Sequence, residues 1–219
     1  MKWIENGEGG AAFRCSDDKP NVFLIGDSIR KGYCKTVAGE LEGKAEVFFP
    51  DDNCRSSQYI VFSLKQWAAL FDDPRKVDVV LFNCGQWDAA HWNGYELSLT
   101  SDDEYGRNLR MIVFLLRKFF PNAQLLFAST SRMNPAPGVT GVNPRSNAEI
   151  DRFNGIARGV MDACGIPVVD LNAKMADWGS DCFTDLCHLT PDAFARLGRI
   201  VANELLPYLE KKVQRRECP

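Results

Sequence analysis

Short apolar runs alternate along this chain with stretches whose apolar positions recur every three or four residues. Residues 22–25, 45–49, 77–83, 124–128 and 166–169 read as strands, the third a continuous Val, Val, Leu, Phe run suited to burial on both faces. Between them, residues 29–42 predict a helix ending near Gly43, and residues 59–71 a helix with Ile60, Leu64 and Ala68 on one stripe. Ser101 with Glu104 and Ser146 with Glu149 each form a capping box ahead of a periodic stretch. The first opens a helix with Tyr105, Leu109, Ile112, Leu116 and Phe119 on its buried face, stopped by Pro121. The second opens one carrying Ile150, Phe153, Ala157 and Val160. Thr190 as N-cap with Pro191 behind it starts a last helix, whose stripe is Phe194, Leu197, Val201, Leu205 and Tyr208.

Alternating strands and helices predict a three-layer α/β/α arrangement of flavodoxin-like, doubly wound type, with a five-stranded parallel sheet. Residues 1–219 show no internal repeat or linker, so one domain is expected, with its core at about residues 21–208. In such sheets ligands bind beyond the C-terminal strand ends. Polar groups gather there. Gly26, Asp27 and Ser28 follow the first strand, and Asn53, Arg55, Ser56 and Ser57 the second. Gly85, Gln86, Trp87 and Asp88 follow the third, and Ser129, Thr130, Ser131 and Arg132 the fourth. Asp185 and His188 come after the fifth.

Ser28 sits at a strand-to-helix turn, where free helix N–H groups would meet an oxyanion formed beside its hydroxyl. A plain N-cap role is the competing reading of that segment. The chain holds two histidines, His91 and His188. A serine needs a base of suitable pKa to become nucleophilic, and His188 lies at the same rim, with Asp185 three residues earlier able to accept from its Nδ1–H. His91 is the rival base, with Asp88 its one candidate carboxylate; lining a substrate pocket is the alternative for it.

Composition changes the picture mainly by exclusion. Apolar residues make up 45% of the chain and charged residues 25%, ordinary for a packed enzyme-sized domain. A net charge of -3, spread without long blocks, argues against nucleic-acid binding. The densest basic group, Lys211, Lys212, Arg215 and Arg216, reads as a solvated helix end. No apolar run approaches a membrane span, and residues 1–10 lack the apolar stretch of a signal peptide, so cytoplasm is the default, or an exported compartment if a leader has been removed. Of the eight cysteines, Cys34, Cys84 and Cys164 read as small core residues. Cys182, Cys187 and His188 come nearest to a metal set, but their spacing is wrong for a closed zinc site, and neither metal nor cofactor is expected. A Cys182–Cys187 disulfide is open to an exported protein.

These residues together resemble the GDSL-like, or SGNH, hydrolases, serine esterases and lipases on a flavodoxin-like fold. The first block of that family is matched by Gly26-Asp27-Ser28-Ile29 and the last by Asp185-Leu186-Cys187-His188-Leu189-Thr190. The resemblance implies a Ser28, Asp185, His188 triad. Its middle blocks depart: Gly85-Gln86-Trp87-Asp88 stands where G-x-N-D is usual, and Asp52-Asn53-Cys54-Arg55 replaces a glycine-bearing block. The expected oxyanion donors are therefore the Ser28 N–H and the Asn53 amide, with Asn83, Gly85 and Trp87 as alternatives. The stretch is similar to the N-x-G-x-W-D subset, associated with acylated carbohydrates. Candidate pocket residues are Asp27, Arg55, Trp87, Asp88, His91, Trp92 and Arg132, joined in the loops by Asn93, Asn134, Asn143 and Arg145. Arg30, Arg55 and Arg132 are expected either to pair with Asp27, Asp51, Asp52 or Asp88, or to hold a substrate carboxylate. The expected activity is hydrolysis of short-chain, foremost O-acetyl, esters on a small substrate such as a saccharide. A short-chain lipase or thioesterase, and a non-catalytic sugar- or anion-binding domain, are the alternatives.

Overall fold

The computed structural model describes residues 12–217, with side chains as far as Glu210. Residues 1–10, Cys218 and the basic side chains beyond Glu210 lie outside that range, and the readings made of them with it. Five parallel strands form one sheet in the order β2-β1-β3-β4-β5: β1 Asn21–Ile25, β2 Glu46–Phe48, β3 Val79–Phe82, β4 Gln124–Ala128 and β5 Val168–Val169. This is the flavodoxin-like order, and its switch point falls between β1 and β3.

Side chains alternate strictly across the central strands. Phe23, Ile25, Val80, Phe82, Leu125 and Phe127 face one core, and Val22, Leu24, Val79, Leu81, Leu126 and Ala128 face the other. The first core is covered by α2 (Ser57–Ala68), α3 (Asp102–Phe119) and α4 (Asn147–Cys164), the second by α1 (Ser28–Glu40) and α6 (Pro191–Glu217). Both capping boxes form as expected, at Ser101 with Glu104 and at Ser146 with Glu149. On α3 the ring that completes the buried stripe is Phe120, just past the helix, while Phe119 is half-buried.

The strand and helix ends shift for identifiable reasons. β5 is two residues shorter than expected because the Ile166 N–H turns back to Met161 O, and Pro167 has no N–H to give. β2 loses Ala45, whose N–H bonds Leu41 O at the end of α1. α2 starts two residues early because Ser56 caps it from outside. A short helix, α5 (Leu171–Lys174), was not legible from periodicity; Asp170 opens it by accepting from the Ala173 N–H.

α1 and α6 pack directly on each other, and two glycines make room for this. A Cβ on Gly32 would lie 2.2 Å from the Phe194 ring, and one on Gly198 would lie 2.6 Å from Thr36 Cβ. Ser28 opens α1 and His188 stands just before α6, so these notches set how closely the two ends of the chain approach.

Candidate active site

The β1–α1 turn places Ser28 at the first helical position, one residue beyond the cap. The cap is Asp27, whose Oδ1 accepts from the Ile29 N–H at 2.9 Å. That settles the competing reading of the segment: the neighbour does the capping, and the Ser28 hydroxyl is left half-buried at the rim. As the first helical residue, Ser28 also has an N–H without an intrahelical acceptor.

His188 is held by a tight loop between a single 3-10 turn, Ser180–Cys182, and α6. The Phe183–Leu189 bridge closes the loop, and the Thr184 N–H donates to His188 O at 2.9 Å. Inside it, Asp185 Oδ1 accepts from the Cys187 and His188 N–H groups at 2.9 and 2.8 Å. Its other oxygen, Oδ2, lies 2.7 Å from His188 Nδ1, and His188 Nε2 lies 2.9 Å from Ser28 Oγ. Hydroxyl, imidazole and carboxylate thus form one hydrogen-bonded line across 160 residues of sequence.

The electrostatics follow from these contacts. The Cys187 sulfur and the Asp185 carboxylate beside Nδ1 push His188 up to about 9, against partial burial. Partial burial would raise Asp185, but the two backbone N–H donors and the His188 ring hold it below the usual carboxylate range. Asp27 is fully buried, and burial raises its pKa against the pull of the Ile29 N–H, Arg145, Arg30 and His188. Among the described residues its Oδ2 has no hydrogen-bond partner.

The oxyanion candidates differ in their freedom. The Cys54 N–H bonds Gly26 O at 3.1 Å and draws the 52–55 turn alongside the end of β1. There Asn53 is half-buried, its Oδ1 accepting from the Arg55 N–H at 3.1 Å, and Arg55 has a positive φ of 47°. Asn83 is buried with its amide donated to Ala128 O at 2.8 Å, so that group is committed to the sheet end. Gly85, at φ 139°, fits where a Cβ would lie 2.1 Å from Thr130 Oγ1. Trp87 stacks on Trp92, with centroids 4.9 Å apart and planes 30° apart.

Several expected pocket residues are placed elsewhere. Asp88 is fully buried and accepts from the Ser57 N–H, the Ser57 hydroxyl at 2.5 Å and the Thr100 hydroxyl at 2.9 Å; it ties the β3 loop to the start of α2. Asp27 is likewise fully buried, as the cap of α1. His91 is not a free base: its Nε2 meets Glu149 Oε1 at 2.6 Å and its Nδ1 meets Tyr95 O at 2.9 Å, a carboxylate that sequence distance had hidden. Among the described residues, Arg30, Arg55 and Arg132 do not pair with carboxylates either. Arg30 is buried and donates to the Gly26, Pro50 and Asp52 carbonyls, Arg55 lies over the Tyr59 ring, and Arg132 reaches Asn172 Oδ1 at 3.4 Å. Cys182 and Cys187 are both free thiols. Cys34 and Cys84 are buried as expected, while Cys164 is half-buried at the core edge.

Arg145 has a role that no spacing announced. Its Nε donates to Gln86 Oε1 at 2.8 Å, Nη1 to Asn143 O at 2.8 Å and Nη2 to Cys187 Sγ at 3.2 Å. One guanidinium therefore joins the loop after β3, the loop between β4 and α4, and the loop of the histidine. The loop carrying Trp92 is pinned beside it, the His91 N–H to Pro144 O and the Asn93 N–H to Asn143 Oδ1, both at 2.9 Å.

No family model and no curated protein sequence matches the chain. Solved structures do. The chain is similar to a lipase/acylhydrolase from Enterococcus faecalis, with 19% identity and a TM-score of 0.65 over 87% of this chain and 97% of that one. An acetyl xylan esterase shares 15% identity and a TM-score of 0.66 over 84% and 99% of the two chains. A carbohydrate acetylesterase from Sinorhizobium meliloti shares 14% and 0.61 over 86% and 99%. At these identities the likeness is one of fold. No helix among the described residues is long and apolar enough to cross a membrane.

Proposed function

We propose that this chain is a serine esterase that hydrolyses short-chain acyl esters, foremost O-acetyl groups on carbohydrate. The observation that carries this reading is the line from Ser28 Oγ through His188 to Asp185, at 2.9 and 2.7 Å. A carboxylate fixing one ring nitrogen leaves the other to take the hydroxyl proton as oxygen attacks the acyl carbonyl. The Ser28 N–H and the Asn53 amide then stabilise the oxyanion. His188 hands its proton to the leaving alcohol, and an acyl group remains on Ser28. Water, deprotonated by the same nitrogen, releases the acid and restores the hydroxyl.

The saccharide part of the proposal rests on the rim. The stacked Trp87 and Trp92, with Asn93 and Asn143 beside them, offer aromatic faces and amides suited to a sugar ring. Structures of similar fold include an acetyl xylan esterase and a carbohydrate acetylesterase, which favours the same substrate class. A second reading, a lipase or thioesterase for somewhat longer acyl chains, is favoured by Tyr95, Leu97 and Leu99, exposed by 62%, 62% and 46% on the same loop.

The test is hydrolysis of p-nitrophenyl acetate by the wild-type protein and Ser28→Ala. Loss of activity in the variant is expected; equal rates would leave a binding domain as the better account. Acetate against octanoate esters separates the two acyl-length readings, and a screen of acetylated xylan, pectin and sialic acid addresses the alcohol.

A further inference from the structure

The ester chemistry leaves one donor beside the imidazole unused. Cys187 Sγ lies 3.8 Å from His188 Nδ1, and Asp185 Oδ2 lies 2.7 Å from the same nitrogen. Ligand atoms of all three residues fall within 4.8 Å of one another. In the sequence Cys182 came nearest to joining these two, with a spacing wrong for a closed zinc site; in the fold Asp185 stands beside them instead. We infer that Asp185, Cys187 and His188 form an inhibitory zinc site, in which the ion replaces the hydrogen bond that orients the histidine.

The distances fit zinc with small adjustments. Tetrahedral zinc with ordinary bond lengths sets sulfur and nitrogen about 3.6 Å apart, and oxygen and nitrogen about 3.3 Å apart. The sulfur–nitrogen and oxygen–nitrogen contacts then change by about 0.2–0.6 Å, and the sulfur–oxygen separation, within 4.8 Å, closes to about 3.6 Å. The carboxylate is built to allow this. Its Oδ1 stays anchored by the Cys187 and His188 N–H groups while Oδ2 and the Cys187 sulfur swing toward the ion.

A sulfur, nitrogen and oxygen set selects zinc or cadmium over magnesium and calcium. Asp185 is exposed, which gives the ion an approach, and water completes the fourth position. Starting from the imidazolium and the thiol, binding releases the Nδ1 proton and the Sγ proton to solvent. One carboxylate and one thiolate then balance the two charges of the metal. Arg145, 3.2 Å from the sulfur, keeps a charge-assisted hydrogen bond to that thiolate.

The consequence for the serine is direct. With the metal on Nδ1, the one remaining ring proton sits on Nε2, which donates toward Ser28 and can no longer accept its proton. Binding does not depend on the esterase reading; the inhibition does.

The experiment titrates zinc against a chromogenic chelator using wild type, Ser28→Ala and Cys187→Ser, alongside p-nitrophenyl acetate hydrolysis. Wild type and Ser28→Ala should bind one ion equally, and Cys187→Ser should bind at least about tenfold more weakly. Wild-type hydrolysis should fall with occupancy and return with EDTA. X-ray absorption at the zinc edge of wild type with one equivalent of zinc should find one sulfur among lighter ligands, which decides the matter even if Cys187→Ser fails to fold. No retained zinc, a shell with no sulfur or with several, or unchanged affinity in a folded Cys187→Ser would overturn the site. Binding with undiminished hydrolysis would overturn the inhibition. Absent hydrolysis with intact binding would sink the esterase reading and leave the site standing.

Discussion

In the proposed mechanism His188 acts as a base, and a ring held near pKa 9 then imposes a steep pH dependence whose size follows from its surroundings. The sulfur of Cys187 and the carboxylate of Asp185 favour the charged ring, bringing His188 to about 9 from an ordinary 6.5. At pH 7 the neutral, base-competent form is then about 1% of the free enzyme, and at pH 9 about half. kcat/KM for p-nitrophenyl acetate, corrected for spontaneous hydrolysis with Ser28→Ala, should climb nearly tenfold per unit from pH 6 to 8 and bend near 9. Asp185→Asn removes the short ionic contact at 2.7 Å and should move the bend down toward 6.5, with a lower plateau because the ring loses its fixed tautomer. Cys187→Ala removes the other contact that favours the charged ring and should move the bend down as well. A wild-type profile already level from pH 7 upward would refute the reasoning, because it would mean that the ring enters the reaction uncharged.

Asn53→Ala should lower kcat about a hundredfold with KM little changed, as expected for one lost oxyanion donor; an unchanged kcat would pass the role to another group. Gly32→Ala puts a methyl 2.2 Å from the Phe194 ring, parts α1 from α6 and should cost about a hundredfold in kcat/KM, with partial recovery in the Gly32→Ala, Phe194→Leu double variant. Asp88→Ala strands the Ser57 N–H and the Thr100 hydroxyl and should cost about 3 kcal/mol in urea unfolding at pH 7. Burial raises Asp88 to about 6 in the folded protein, above its ordinary 3.8. Its proton-linked contribution is therefore present below 3.8 and lost as pH rises through 6, so the gap between wild type and variant should widen on acidification.

Much of the site is legible in the amino-acid order, and the reason is local. A strand ending in Gly26-Asp27-Ser28, and an Asp185 three residues ahead of His188, are arrangements that a few adjacent residues specify by themselves. The same holds for the capping boxes at Ser101 and Ser146, which satisfy helix N–H groups within one turn. Trp87 and Trp92 could be grouped because both follow β3 in a stretch without periodicity, and their rings stack. Asp88 could not be placed, since a carboxylate after a strand looks the same whether it faces solvent or bonds a helix start 31 residues away. His91 failed similarly: its partner, Glu149, lies 58 residues on.

The chain's residue pattern alone settled the layering, through the alternation of apolar runs and amphipathic stretches, and it named the hydroxyl, the ring and the carboxylate. Only the packed molecule decided that the first two lie 2.9 Å apart, because that distance depends on two helices from opposite ends of the chain meeting at Gly32 and Gly198. Tertiary packing likewise set Arg145 against Gln86 and Cys187, and brought a sulfur beside the histidine ring. Periodicity records what each residue does within its own element. It carries no trace of which distant side chain that element will meet.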